Sequence, residues 1–378
     1  MNIGVLRERV GSERRVALTP PVVRQLVEHG NIVWVEAGSG EGALIRDDKY
    51  IRAGAHLAYS PGEVLHRCEV LTKVSIPMPE ELAMVPPGTT LMAFYHMAVA
   101  SRRLVERLCE RSITAIGYEI IQTPDGRLPV LAAVSEIAGQ MTLPLAMHLL
   151  RSSSGGRGIL VGGSPGVPPA QVVILGAGVV GTWAARSASA AGARVTVLDV
   201  DTDKLRRLME HLPQVTTGLA DPDTVAAMVV SADVLIGGVL LAGRKTPHVV
   251  TRQMVESMKP GSVIIDVAID QGGCVETSRP MTLEEPTFVH HGVVHYCVAN
   301  LTADMSRSCS MALSQALLPH LVRLSESGVE HALRTSPELA SGTYTYGGSC
   351  VRCSLADVIG VPCRPLAELL PAPSGEAG

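Results

Sequence analysis

The sequence has no excess of positive charge and no long apolar run, and no signal peptide is expected from its opening residues. Lys and Arg number 32 against 36 Asp and Glu, giving a net charge of −4 and a pI of about 6.3. That balance supplies no basic face for nucleic acid. No apolar run approaches the roughly 20 residues that cross a bilayer. The opening MNIGVLRERVGSERR lacks the apolar core of a signal peptide and reads as the first strand of the fold. A reduced, cytoplasmic protein is therefore expected. Eight cysteines are present, and several lie in apolar segments, where a free thiol packs as a small hydrophobe. The CVRC stretch (Cys350, Cys353) with Cys363 falls short of a four-ligand zinc set. It sits in a polar segment rather than behind a strand, so these read as surface or packing thiols. His290 and His291 show no metal-ligand spacing either, and no metal is expected.

What is there is a globular composition, 46% hydrophobic and 18% charged over 378 residues, too long for one ordinary core. Strand-like runs NIGVL (2–6), NIVWVE (31–36), EVLTKVSI (69–76), TTLMAF (89–94) and ITAIGYE (113–119) alternate with helical stretches at 20–30 and 99–112. Alternation of this kind predicts an α/β fold with parallel sheets. A long helix is expected over 135–152, with Ser135 as N-cap and Pro144 as a kink. The Gly- and Pro-dense loop 155–170 leads to a second alternating set, QVVILG, RVTVLD, DVLIGG, SVIIDVA and VVHYCVA. A returning helix at 303–324 follows. The predicted architecture is two Rossmann-like domains. A discontinuous one, 1–130 with 305–370, would hold the substrate and carry an inserted nucleotide-binding domain at 131–304. Residues 371–378 are expected to be a disordered tail.

VVILGAGVVG, residues 172–181, runs an apolar strand into GxGxxG: Gly176, Gly178 and Gly181. The first glycine allows the tight turn, the second admits a phosphate to the backbone, and the third lets the next helix pack on the strand. That helix, expected over about 178–192, would aim its free amides at a pyrophosphate. The next strand ends in Asp199, 23 residues after Gly176, where a carboxylate can take a ribose hydroxyl. Its charge would repel a 2′-phosphate, so the expected cofactor is NAD rather than NADP.

Ionisable groups also stand in apolar surroundings: Arg14 and Arg15 in SERRVALTP, Lys73, His96 in FYHMA, and Asp266 and Asp270 in VIIDVAIDQGG. Read as one strand, 69–76 points Lys73 and Ser75 to the same face. His96 and Asp270 follow strand ends, where open α/β sheets bind ligands. That suggests a small-molecule cleft between the domains. A guanidinium binds a carboxylate, a histidine moves a proton, and an aspartate holds an ammonium. Beside NAD, such a set suits oxidation of an amino acid at its α-carbon. The bland readings also stand: a hydrogen-bonded core histidine, a solvated arginine pair, and a turn begun by Asp270 before Gln-Gly-Gly.

ERRVALTP, VEAGSGEGALI, FYHMA, SEIAGQ, GGRGILVGGSPGVPPA, VILGAGVVG, VIIDVAIDQGGCVETSRP and HYCVANL together resemble the alanine dehydrogenases. That family shares its fold with the NAD-binding part of proton-translocating transhydrogenase. The resemblance runs over nearly all of 1–370. It implies NAD-dependent oxidative deamination of an L-amino acid to a 2-oxo acid and ammonium, the reverse reaction, and a homohexamer. Carried over by position, Arg15 would bind the substrate carboxylate, His96 would be the general acid/base and Asp270 would hold the reacting amine. Gly176, Gly178, Gly181 and Asp199 would hold NAD. Ser135 and Asn300 would lie near the nicotinamide and the cleft.

The chain departs from the family where K-V-K-E-P becomes Lys73-Val74-Ser75-Ile76-Pro77. Ser75 replaces a lysine that in the family contacts the substrate. Lys73, two residues back and roughly 6–7 Å away along a strand, or Arg14 would have to compensate. Otherwise the substrate differs from alanine. The expectation is an amino-acid dehydrogenase of altered specificity. Its rivals are an imine-reducing or NAD-retaining, cyclodeaminase-like enzyme and a weakened nucleotide-binding paralogue.

Overall fold

Short apolar strands alternate with helices in the computed structural model, which describes residues 1–9 and 11–370. The tail expected at 371–378 lies outside the described residues. The chain forms two units. One comprises Met1–Val134 with the segment from Met305 onward, and the other comprises Ser135–Asp304.

The first unit is built on an eight-stranded sheet in the order Ser349–Cys350, Thr343–Tyr346, Thr114–Gly117, Thr90–Ala93, Val70–Thr72, Asn2–Val5, Ile32–Glu36, His56–Ala58. The six strands from the first 117 residues pair in parallel, each separated from the next by a helix or a long connection. The last two join at one edge in antiparallel fashion. The sheet is thus mixed rather than purely parallel, because a hairpin turning at Gly347 and Gly348, both at positive φ, needs no crossover. Leu6, Leu71, Leu91, Ala115 and Tyr344 fill the core on one face.

The second unit carries seven strands in the order Thr287–His290, Val293–Tyr296, Val263–Asp266, Val234–Gly237, Gln171–Leu175, Arg194–Asp199, Thr216–Leu219. Only Thr287–His290 runs antiparallel. Alternate residues of one strand serve opposite faces. Val172 and Ile174 pack into one core cluster, and Val173 and Leu175 into the other.

Several expected boundaries move. The strand predicted over 69–76 ends at Thr72, and Val74–Ser75 is a bend, so Lys73 and Ser75 do not share a strand face. Ser135 is not an N-cap. The helix starts at Pro129, whose missing amide costs nothing in the first turn, and runs to Leu149 with Pro144 inside it. By length and composition that helix is apolar enough to cross a membrane, with 39% of its apolar window buried inside the protein. Ser135, Glu136 and Gln140 interrupt it, which hides it from a search for unbroken runs. The thiol reading also changes: Cys353 and Cys363 are joined by a disulfide, while Cys350 is a buried free thiol. A backbone bridge between Cys350 and Cys363 lays the two segments side by side.

Candidate active site

In the first unit, four neighbouring parallel strands deliver polar side chains just past their carboxyl ends. Asn2–Val5 leads to Glu8, Val70–Thr72 to Lys73 and Ser75, Thr90–Ala93 to His96, and Thr114–Gly117 to Tyr118 and Glu119. That edge is where open α/β sheets place their ligand sites.

Lys73 is fully buried, and its ammonium lies 2.9 and 2.7 Å from the two carboxylate oxygens of Glu81. Glu8 is further off, at 3.8 Å. Glu81 also pairs with Arg9 at 3.0 Å and takes the amide of Met78 at 2.8 Å, closing the first turn of the helix Pro79–Met84. Arg9 in turn pairs with Glu36. Ser75 donates its hydroxyl to Glu8, which also accepts the amides of Val74 at 2.6 Å and Ser75 at 3.3 Å. Burial pushes the Glu8 carboxyl above its usual range, against the opposing pull of Lys73 and these donors. Arg14 is exposed.

Arg15 is buried and held from two sides. Glu13 takes its Nε at 2.7 Å and Nη2 at 2.6 Å, while Nη1 lies 3.8 Å from Cys309 Sγ. These contacts keep the guanidinium protonated despite its burial. The helix Ser306–Ser327 also fixes this loop through Ser310 Oγ on the Val16 amide and Ser314 Oγ on the Thr19 amide, both at 2.9 Å.

His96 is half-buried with φ of 47°. Its amide donates to Glu119 at 2.7 Å, and Glu119 also accepts from Tyr95 N at 3.3 Å and Tyr344 Oη at 2.9 Å. The imidazole stacks on Phe94 with centroids 5.8 Å apart, and Phe94 meets Tyr118 edge-on at 5.2 Å. Glu8, Glu13, Glu81, Tyr118 and Glu119 were not singled out from sequence. The signal available for the last two was a Tyr-Glu pair ending the apolar run ITAIG.

In the second unit, Gly176 has φ of 101°, and a Cβ there would lie 2.7 Å from Gly238 O. A Cβ on Gly181 would strike Gly176 O at 1.8 Å. A Cβ on Gly178 meets no protein atom within 4 Å. Gly178 precedes the helix Val179–Ala190, whose first amides point outward with its positive dipole end. The space beside Gly178 is therefore open to a phosphate, which fits a dinucleotide. Asp199 ends its strand and accepts Ala177 N at 2.6 Å and Asp201 N at 2.8 Å, tying the glycine loop to the neighbouring strand.

Asp270 is half-buried in the turn Val267–Gln271 and accepts the amide of Asn300 at 2.8 Å, where Asn300 has φ of 54°. Asp266 is a buried cap instead. It accepts the amides of Ala268 at 3.2 Å, Cys274 at 3.0 Å and Val275 at 3.2 Å, and burial raises its pKa. Ser135 is the seventh residue of the helix Pro129–Leu149, away from its ends. No cluster of three or more His, Cys, Asp or Glu able to hold a metal occurs among the described residues.

Comparison with known proteins follows these two units. The chain matches the alanine dehydrogenase/PNT N-terminal domain over residues 4–138 and the C-terminal domain over residues 143–352. It is 41% identical over 371 residues to the alanine dehydrogenase of Mycobacterium tuberculosis (strain CDC 1551 / Oshkosh), covering 98% of this chain and 100% of that protein. A solved L-alanine dehydrogenase superposes with a TM-score of 0.89 at 39% identity, covering 95% of this chain and 99% of the other. A transhydrogenase from Sinorhizobium meliloti shares the fold at 24% identity, with a TM-score of 0.78 over 94% of this chain and 100% of its own. The chain belongs to the alanine dehydrogenase/PNT family.

Proposed function

We propose that this protein is an NAD-dependent L-amino-acid dehydrogenase, converting an amino acid to its 2-oxo acid and ammonium and running the reverse, with a substrate preference other than L-alanine. It is an NAD-dependent oxidoreductase acting on a CH–NH2 group. The observation that carries the finer reading is Ser75. It stands at the carboxyl end of the strand Val70–Thr72, brings no charge, and is bound to Glu8.

Gly176, Gly178 and Gly181 would hold the pyrophosphate and Asp199 the ribose. NAD held there would supply the acceptor for the α-carbon's hydride. Arg15, oriented by Glu13, would hold the substrate carboxylate. His96 would carry the proton to and from the reacting centre. Asp270 is the carboxylate of the second unit suited to an ammonium or a carbinolamine, with Asn300 fixing its rotamer. Ser135 is assigned to the nicotinamide side and Asn300 to the substrate side on the resemblance alone. Lys73 reads as a structural ion, because its ammonium is taken up by Glu81. The substrate-holding part is assigned to the first unit and the nucleotide-holding part to the second. A cytoplasmic homohexamer is proposed on the resemblance alone, and light scattering tests the assembly.

The test is NADH formation, read by its absorbance, from purified protein, NAD and a panel of L-amino acids. Faster turnover of another amino acid than of alanine supports the reading. Alanine as the best of the panel overturns the specificity claim, and no NADH from any member overturns the dehydrogenase reading.

A further inference from the structure

Counted as carboxylates, the buried acids around Ser75 outnumber the cations. Glu36, Arg9, Glu81, Lys73 and Glu8 follow one another in contact, and the pair Glu13–Arg15 is close enough for Glu13 to act on Glu8. Four carboxyls thus face three cations, and all but Arg9 have side chains at most 7% exposed. Lys73 lies 2.7 Å from Glu81 but 3.8 Å from Glu8, so Glu8 carries the deficit. Its other partners are neutral: two amides and the Ser75 hydroxyl. Glu119, also buried, is outside this group and is held by two amides and a phenol.

A second observation points to the same place. Tyr118 is fully buried, and its hydroxyl has no hydrogen-bond partner among the described residues. Burial first, then Glu8 and Tyr95, push this phenol well above its usual range. A buried hydroxyl left unpaired, within electrostatic reach of a carboxyl short of a cation, points to a missing polar ligand. It lies one ring from His96, since Phe94 touches both Tyr118 and His96.

We propose that the amino acid this enzyme oxidises carries a second amino group on its side chain, whose ammonium sits against Glu8, Ser75 and Tyr118. An ammonium has three donors, which the Glu8 carboxyl, the Ser75 hydroxyl and the Tyr118 phenol would take up. A guanidinium fits less well, because the Ser75 amide and hydroxyl already fill one Glu8 oxygen and Val74 N takes part of the other, leaving no two free oxygens for a fork. The side-chain cation supplies the charge that the buried group lacks. The inference rests on the dehydrogenase reading for its chemistry. The α-carbon gives a hydride to NAD, the C–N bond becomes an iminium, and water adds to it. Ammonium then leaves with release of one proton, and the side-chain amine is unchanged.

The test compares matched pairs of L-amino acids: 2,3-diaminopropionate with 2-aminobutyrate, 2,4-diaminobutyrate with norvaline, and ornithine with norleucine. NADH formation gives kcat/KM, and thermal shift in the presence of NADH gives binding without turnover. At least one diamino acid is expected to exceed its uncharged partner by about tenfold or more in kcat/KM, with the larger thermal shift. Ser75→Lys, which installs a cation beside Glu8, and Glu8→Gln should each bring that ratio to about one or below. Ratios at or below one for all three pairs overturn the proposal while leaving the dehydrogenase reading intact. A preference that survives Ser75→Lys overturns it as well, and this variant decides the matter should Glu8→Gln fail to fold. No NADH from any of the six, with a thermal preference for the diamino acid, overturns the dehydrogenase reading and keeps the binding site. Equal thermal shifts in that case overturn both.

Discussion

Glu119 accepts the backbone amide of His96 at 2.7 Å, and this contact holds a histidine whose φ is 47°. A non-glycine residue in the left-handed region needs outside support. Glu119 supplies it while also binding Tyr95 N and Tyr344 Oη. With His96 as the proposed proton carrier, Glu119 would act as a positioning residue, because it sets where the imidazole stands.

Glu119→Ala should therefore orphan three donors, two of them buried, at about 1–3 kcal/mol for each that water cannot reach. It should lower kcat more than it raises KM. Glu119→Gln keeps one acceptor oxygen and should recover part of both losses. Tyr344→Phe removes one donor only and should leave the His96 contact, and the pH profile of kcat/KM, in place. A Glu119→Ala enzyme with parental kcat would remove Glu119 from the site.

The buried pair Lys73–Glu81 gives a second expectation. Lys73→Met leaves Glu8 without a cation and Glu81 with Arg9 alone, and breaking a buried pair typically costs about 3–5 kcal/mol. Lys73→Met with Glu81→Leu removes both charges and should cost less than Lys73→Met alone. Denaturant midpoints of the parent, the two single variants and the double variant measure the coupling. Additive losses would show that the two side chains act independently despite their 2.7 Å contact.

The sheets were legible because their strands are apolar and separated by helical stretches, and the glycine fingerprint marked the tight turn between Gln171–Leu175 and the helix Val179–Ala190. The site was legible only in part, for a physical reason visible at Lys73. Its partner Glu81 lies on the next helix, and the strand ends at Thr72. No periodicity in EVLTKVSI shows that bend. Glu8 and Glu13 gain meaning only when the loop after Asn2–Val5 folds against the strands beside it and the helix Ser306–Ser327 pins it from about 295 residues away. The strand Thr216–Leu219 is partly exposed and alternates weakly, so it carried no apolar signal. The antiparallel edge strands depend on tight turns rather than on hydrophobic pattern. The Cys353–Cys363 disulfide depends on the pairing of Cys350 with Cys363, which spacing alone does not give.

His295 predicts a pH dependence. It is fully buried, accepts from Thr277 Oγ1 at 2.8 Å and donates to Val293 O at 3.0 Å, which fixes the neutral ring. Burial lowers its pKa from 6.5 to about 4, partly opposed by the Val293 carbonyl. The unfolded chain then binds a proton that the folded protein refuses. The stabilisation is present in full above pH 6.5, falls as the pH drops, and is gone below about 4. At 1.36 kcal/mol per unit the total is of order 3 kcal/mol. His295→Gln should flatten the fall in Tm between those limits. Buried His320 contributes in the same direction and remains in both proteins. Parallel Tm curves for parent and variant would mean that His295 is already charged in the fold.

The glycine loop separates folding from cofactor binding. Gly181→Ala would drive a methyl to within 1.8 Å of Gly176 O, so the helix Val179–Ala190 must shift off its strand and the fold should lose stability. Gly178→Ala meets no protein atom within 4 Å and has no unusual φ to strain, so its Tm without cofactor should match the parent. The methyl instead occupies the space where a phosphate would approach the first amides of the helix. NADH affinity, read by fluorescence titration, should fall by at least about tenfold, the loss expected from displacing a charge-assisted hydrogen bond of about 1.5–3 kcal/mol. Unchanged affinity in Gly178→Ala would place the pyrophosphate elsewhere. A lowered Tm without cofactor would show that the residue serves packing rather than the nucleotide.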